Sequence, residues 1–168
     1  NMVKKAGLDK CPIGTKLTGA EFDLLQRWVM TALYSFLPPA RNEYATLNVG
    51  FRDEYGVGFQ VEQLPKDKNY LVWDRRKPNF KCCDPPCSSM KEQSKQKLDP
   101  AFHIIINQHK SNKSLGSRHF IIHQSGKNIV FIGTKVTTLD LPKGLYNVLK
   151  RWYELIWITS GGGLDRPL

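Results

Sequence analysis

The first residue able to do recognisable chemistry is Arg52, which ends the alternating segment "LNVGFR". Gly50 precedes it by two residues, so an extended chain places a residue without a side chain beside a guanidinium on one face. One interpretation is a solvent-facing arginine on an ordinary strand. The other is an anion pocket, in which Gly50 leaves space and the guanidinium fork supplies paired hydrogen bonds.

The cysteines do not show the spacing of common zinc sites. Cys82, Cys83 and Cys87 lie in "CCDPPC", which lacks C-x-x-C pairs, and the histidines are distant in sequence. A metal site and a disulfide are alternatives, but free thiols in an intracellular loop fit the pattern better. We therefore expect no metal and no cofactor.

Common enzyme signatures are also missing. The sequence contains no H-E-x-x-H, no G-x-S-x-G, no Walker loop and no Rossmann glycine fingerprint. The cysteines lack the H-x-E partner of a zinc deaminase. The sequence therefore predicts a protein that is not an enzyme.

Composition favours one folded domain with an anionic partner. The chain has 168 residues, of which 40% are hydrophobic, and 25 Lys and Arg residues against 15 acidic ones give a net charge of +10. No apolar run approaches the roughly 20 residues of a membrane span. No basic segment followed by an apolar one opens the chain, so we expect no signal peptide and a cytoplasmic location.

Helices are predicted near both ends of the sequence. In "LTGAEFDLLQRWVMTALYSFL" Thr18 and Glu21 have the spacing of a capping box. An apolar stripe follows at helical spacing and consists of Phe22, Leu25, Val29 and Leu33. The second helix is "LPKGLYNVLKRWYELIWI", with its own stripe of Leu145, Val148, Leu149 and Trp152.

Strands fill the region between these helices. Residues 45–64 predict a hairpin that turns at residues 53–56 and returns through Val57, Phe59 and Val61. Four later strands are predicted: one in "NYLVW", one in "AFHIIINQ" and two in the hairpin "RHFIIHQSGKNIVFIG". The predicted class is α+β: a central antiparallel sheet flanked by two α-helices, with an inserted strand and loop segment.

Four stretches, in this order, resemble the Src homology 2 domain, which binds phosphotyrosine. They are "GTKLTGAEFDLL", "VGFRDEYGVGFQV", "RHFIIHQSGKNIVFIG", and "LDLPKGLYNVLKRWY" together with "GGGLDRPL". The resemblance implies a single domain over 1–168 with an insertion at about 65–116. Two departures are the missing basic residue at the start of the first helix and the long middle. Residues 75–100 are polar and basic, which predicts a lid over the ligand or a loop without a role.

The resemblance also implies a phosphotyrosine site. Arg52 would bind the phosphate, His119 and Arg118 would border the ring pocket, and Asn48 shares the strand face of Arg52. A rival register makes "NYLVWDRR" the arginine strand, with Arg75 or Arg76 at the phosphate.

The function expected on this basis is a monomeric adaptor module that binds tyrosine-phosphorylated peptides. One alternative is a basic nucleic-acid-binding domain, which would use the same net charge of +10. Another is a scaffold of the same fold that has lost its pocket.

Overall fold

The computed structural model of the protein describes residues 2–38, 42–55, 57–75, 100–108, 116–126, 128–139 and 144–157. Its helices are α1 (Met2–Lys5), α2 (Gly19–Phe36) and α3 (Gly144–Trp152), and α3 continues into a π-helical turn at Tyr153–Trp157. Its strands are β1 (Leu47–Arg52), β2 (Asn69–Asp74), β3 (Ala101–Ile106), β4 (Arg118–His123), β5 (Asn128–Ile132) and β6 (Lys135–Leu139). Most of the predicted lid, residues 76–99, lies outside the described residues, as do Cys82, Cys83 and Cys87.

The strands form one six-stranded sheet whose spatial order follows the chain from β1 to β6. The predicted α+β class is confirmed, but the sheet is mixed and not antiparallel. β1 and β2 run parallel, so that Leu47 lies opposite Asn69 and Arg52 opposite Asp74, whereas the other neighbours are antiparallel. β2 is buried along its whole length, so this part of the predicted insertion is central to the sheet.

The prediction of a return strand at residues 57–61 is wrong, because the structure has no strand there. The turn itself forms, because the Asp53 carboxylate accepts hydrogen bonds from the backbone N–H groups of Tyr55 and Val57. After that turn only Gly58 bridges back to Arg52, and the chain then enters a short 3₁₀ turn at Val61–Gln63. The pairing partner of β1 is instead β2, whose apolar side chains are buried on both faces of the sheet.

Helix α2 begins as its sequence predicts. The Thr18 hydroxyl accepts a hydrogen bond from the backbone N–H of Glu21, and the Glu21 carboxylate accepts one from the N–H of Thr18 at 2.8 Å. Leu25, Val29 and Leu33 are buried, but Phe22 of the same predicted stripe is exposed. The stripe therefore begins one turn later than the spacing predicts.

Helices α2 and α3 pack together on one face of the sheet. Their buried side chains share a single core with the alternating inward residues of the strands, among them Leu71, Phe102 and Phe120. The sheet thus shares one core with a helix pair, and the predicted flanking arrangement is not confirmed. No described α-helix packs on the opposite face, which we call the helix-free face and which carries Asn48, Arg52, Asp74, His103 and His119.

Buried Tyr153 helps to hold β1 against β2 from the helix side. Its hydroxyl contacts the carbonyl oxygens of Gly50 and Leu71, the second at 2.8 Å. Burial raises the pKa of Tyr153 well above its usual range, so the hydroxyl stays protonated and can donate. No helix in the described ranges combines the length and the apolar character that a membrane crossing requires.

Candidate functional site

Arg52 lies at the carboxyl end of β1 on the helix-free face. It is 9% exposed, so the interpretation of a solvent-facing arginine is wrong. Its Nη1 atom lies 3.8 Å from Oδ2 of Asp74 and 3.5 Å from Oε2 of Glu62. Because the parallel register places Arg52 directly opposite Asp74, the strand pairing itself creates the first of these ion pairs.

The second carboxylate comes from the segment that covers the sheet. Glu62 belongs to the 3₁₀ turn, and its side chain is 63% exposed, against 6% for Asp74. Val61 and Leu64, on either side of it, pack against the small cluster formed by Tyr70, Val72 and Ile105. These flanking contacts hold the turn on the helix-free face and bring Glu62 to Arg52.

Two histidines extend the polar network away from Arg52. Nε2 of His103 lies 4.0 Å from Oδ2 of Asp74, and Nδ1 of His103 lies 2.9 Å from Nε2 of His119. We assign a proton to Nε2 of His103 because that atom faces the carboxylate, and in this tautomer Nδ1 accepts the Nε2–H of His119. The network therefore runs from Glu62 through Arg52, Asp74 and His103 to His119.

His119 is held in its neutral form by its surroundings. Burial lowers the pKa of His119 to about 4, and the charge of Glu62 raises it by a smaller amount. Its ring also packs against Phe131, with ring centroids 5.8 Å apart. At neutral pH the ring of His119 is therefore uncharged.

The space beside Gly50 is filled by the protein itself. A Cβ atom built on Gly50 would lie 2.6 Å from the ring of Phe59. Phe59 is held there by a backbone hydrogen bond from its N–H to the carbonyl of Phe51 at 3.0 Å. The Phe59 ring therefore leaves no room for a side chain at Gly50, which lies two residues before Arg52 on the same strand.

The structure brings together only part of the predicted site. Arg52 and His119 share the helix-free face and are linked through Asp74 and His103. Asn48 lies on the same face nearer the start of β1, where its side-chain amide donates to the carbonyl of Asn69 at 2.9 Å. It therefore lies outside the Arg52 network.

The remaining predicted residues point elsewhere. By strand alternation Arg118 faces the helix side, where its charge acts on the hydroxyl of Tyr44. The Arg75 guanidinium lies over the rings of Phe51 and Trp73, 5.9 and 5.2 Å from their centroids. Arg76 is outside the described residues.

Sequence reasoning missed Glu62, Asp74 and His103. A signal was present for two of them, because Asp74 ends the apolar strand "NYLVWD" and His103 interrupts the apolar strand "AFHIII". A polar residue that breaks a buried strand needs a polar partner. Glu62 carried no such signal, since an exposed glutamate in a connecting segment is ordinary.

Within the described ranges no group of three or more His, Cys, Asp and Glu side chains is arranged to hold a metal ion. The contacts that the structure shows at Arg52 are ionic. A buried guanidinium is positioned by one fixed carboxylate and meets a second carboxylate at the surface.

Comparison of the chain with family models, with curated proteins and with solved structures found no match.

Proposed function

We propose that the protein binds tyrosine-phosphorylated peptides without catalysing a reaction, and that Arg52 is the residue that binds the phosphate. The observation that carries this proposal is the unequal pair of carboxylates at Arg52. Asp74 is buried, whereas Glu62 is largely exposed and approaches Arg52 from the surface. A phosphate could take the position of Glu62 while Asp74 keeps the guanidinium in place.

The exchange is favourable on electrostatic grounds. A phosphotyrosine carries about −1.5 to −2 charges near neutral pH and three acceptor oxygens, compared with a single charge on a carboxylate. A guanidinium can donate to two of those oxygens at once. The present contact to Glu62, at 3.5 Å, is longer than a charge-assisted hydrogen bond of about 2.7–2.9 Å, so a tighter ligand can replace it.

The geometry supports the binding of an anion at Arg52. The identification of that anion as a phosphotyrosine in a peptide rests on the resemblance to Src homology 2 domains. His119 is the second residue that we assign to the site, because it belongs to the same network and its pKa is affected by Glu62. Such a module would act as a monomeric adaptor inside the cell, where tyrosine-phosphorylated proteins occur. Arg118 is left out of the proposed site, since it faces the helix side of the sheet.

The test is a binding titration with two fluorescein-labelled peptide pools that have degenerate flanking residues. One pool carries a central phosphotyrosine and the other carries tyrosine. We expect saturable binding of the phosphorylated pool, competition by phenyl phosphate, and at least tenfold weaker binding of the other pool. Equal binding of both pools would refute the proposal.

Salt dependence separates this function from nucleic-acid binding. The affinity of a nucleic acid should fall linearly with salt on a log–log plot, with a slope of about −0.7 to −0.9 for each phosphate contacted. A peptide with one phosphotyrosine should give a shallow slope. A steep slope for an oligonucleotide, with no preference for the phosphorylated pool, would favour the nucleic-acid alternative.

A further inference from the structure

A second polar region lies at the end of the sheet where β1 and β2 begin. It is an open cavity of about 460 Å³. Its walls come from three separate segments: residues 42–48 before and in β1, residues 67–69 before and at the start of β2, and Gln108 after β3. All of the residues that line it are polar or charged. Its volume falls within the range of roughly 300–1,000 Å³ that is typical of small-ligand sites.

Asn69 organises this cavity and has no hydrogen-bonding capacity left for a ligand. Its Nδ2 donates to Oγ1 of Thr46 at 3.0 Å and to the carbonyl of Gln108 at 3.3 Å. Its Oδ1 accepts the backbone N–H groups of Asn107 at 2.9 Å and Gln108 at 2.8 Å. This buried amide therefore fixes the three segments relative to one another.

One side-chain N–H of each of two wall residues also donates to the protein. Asn48 donates to the carbonyl of Asn69, and Gln108 donates through Nε2 to the carbonyl of Lys66 at 2.9 Å. Oδ1 of Asn48 and Oε1 of Gln108 accept no hydrogen bond within the part of the chain that the structure describes. These two side-chain oxygens are thus available to accept hydrogen bonds from a ligand.

Two carboxylates add negative charge to these acceptors. Glu43 and Asp67 line the cavity, and neither forms an ion pair with another described residue. Oε2 of Glu43 is buried and has no hydrogen-bond partner among the described residues. Lys68 is the one cation in the described wall, so the wall has a net charge of −1 in a protein whose net charge is +10.

We propose that this cavity binds a guanidinium group, such as the side chain of an arginine in a partner peptide. A guanidinium offers five N–H donors and one positive charge, which matches the amide and carboxylate groups that the lining residues carry. An ammonium offers three donors, and a neutral urea lacks the charge. Ca²⁺ fits less well because it needs six to eight oxygens at about 2.3–2.6 Å around one point, whereas this cavity is open and wide.

The proposal is independent of phosphotyrosine binding at Arg52. It is tested by NMR titration of the whole protein with N-acetyl-arginine methylamide, which lacks charged ends. The expected result is saturable shifts of backbone amides at residues 42–48, 67–69 and 108, with a dissociation constant in the millimolar range. N-acetyl-citrulline methylamide, the neutral isostere, should bind at least tenfold more weakly, and the lysine analogue should bind several-fold more weakly.

Free L-arginine separates a peptide side chain from a free amino acid as the ligand. If peptides are the source, free arginine should bind no more tightly than the methylamide. If the free amino acid binds more tightly, the cavity is still a guanidinium site, but its ligand is a small molecule and not a peptide side chain.

Charge variants of the cavity wall provide the matched controls. Combining Glu43→Gln with Asp67→Asn should weaken binding of the arginine probe at least tenfold, whereas Lys68→Gln should strengthen it several-fold. Asp23→Asn, on the exposed side of α2, raises the net charge by one, which is half the change in the double variant, and should have no effect. Equal binding of the arginine and citrulline probes, shifts confined to other residues, or shifts at this cavity with CaCl₂ but not with arginine would overturn the proposal.

Discussion

The ring of Phe59 lies directly over Gly50, so that a Cβ atom on the glycine would come within 2.6 Å of it. This contact explains why a strand residue next to Arg52 has no side chain. Phe59 is partly exposed, at 38%, and belongs to the segment that also carries Glu62. The position of Gly50 therefore controls how closely this segment approaches the guanidinium.

Substitution Gly50→Ala tests this relationship. The added methyl group should displace the Phe59 ring and lower the free energy of unfolding by roughly 1–3 kcal/mol, as overpacking does. In a Phe59→Ala background the same substitution should cost much less, because the obstructing ring is gone. Urea unfolding of the two single variants and the double variant measures this coupling. Additive effects would show that Gly50 is needed for another reason.

Substitution Arg52→Lys tests the proposed phosphate contact. A lysine keeps the positive charge beside Asp74 but loses the two-bond fork, so phosphotyrosine-peptide binding should weaken at least tenfold. Fluorescence anisotropy with the phosphorylated pool measures the change, and circular dichroism checks the fold. Arg27→Lys, on an exposed part of α2, is the matched control. Normal binding by Arg52→Lys, with loss of binding in Arg75→Lys or Arg76→Lys, would favour the rival register.

Substitution Glu62→Gln tests whether the exposed carboxylate competes with the ligand. An exposed ion pair contributes about 0.2–1 kcal/mol, so its removal should tighten phosphopeptide binding up to about fivefold. Asp23→Asn changes the net charge equally and should leave the affinity within twofold after the general charge effect is subtracted. Weaker binding by Glu62→Gln would mean that Glu62 supports the site and does not occupy it.

The buried His119 should make the protein less stable in acid. The pKa of His119 is about 4 in the folded state and close to 6.5 when the chain is unfolded. Between these values the unfolded chain binds a proton that the folded protein does not, so the free energy of unfolding falls as the pH drops. The total loss expected from this group is roughly 3 kcal/mol.

The matched variant for this pH dependence is His119→Gln, which cannot titrate. Urea unfolding of both proteins at several values between pH 7 and pH 4 should show a shallower decline for the variant. The same slope in both proteins would mean that another group causes the acid sensitivity.

Local patterns in the sequence predicted the elements whose formation depends on near neighbours. The capping box at Thr18 and the apolar spacing of Leu25, Val29 and Leu33 identified α2. Alternation and turn residues identified the β4–β5 hairpin, and "NYLVW" identified β2. β6 was missed because "KVTTL" lies at the sheet edge and its exposed residues do not form an apolar pattern.

Alternation of apolar residues also misled the prediction once. Val57, Phe59 and Val61 have the spacing of a strand, but the chain leaves the sheet edge after Gly58, which has a φ of +116°. Its Cβ position lies only 2.2 Å from the carbonyl oxygen of Phe51, so this approach is open to glycine alone. Phe59 packs over Gly50 and Val61 packs against the Tyr70 cluster, so both residues contact the face of the sheet instead of extending its edge.

The sequence by itself determined the α+β class, the long helix α2 and an arginine at the end of β1. Only the tertiary structure decided that β1 pairs in parallel with β2, and this pairing sets Arg52 opposite Asp74. It also decided that His103 and Glu62 reach the same network and that Asn48, Asn69 and Gln108 meet at one cavity. Caps and periodicity depend on residues a few positions apart. Strand partners and register depend on which apolar faces are buried together, and no short stretch of sequence specifies that choice.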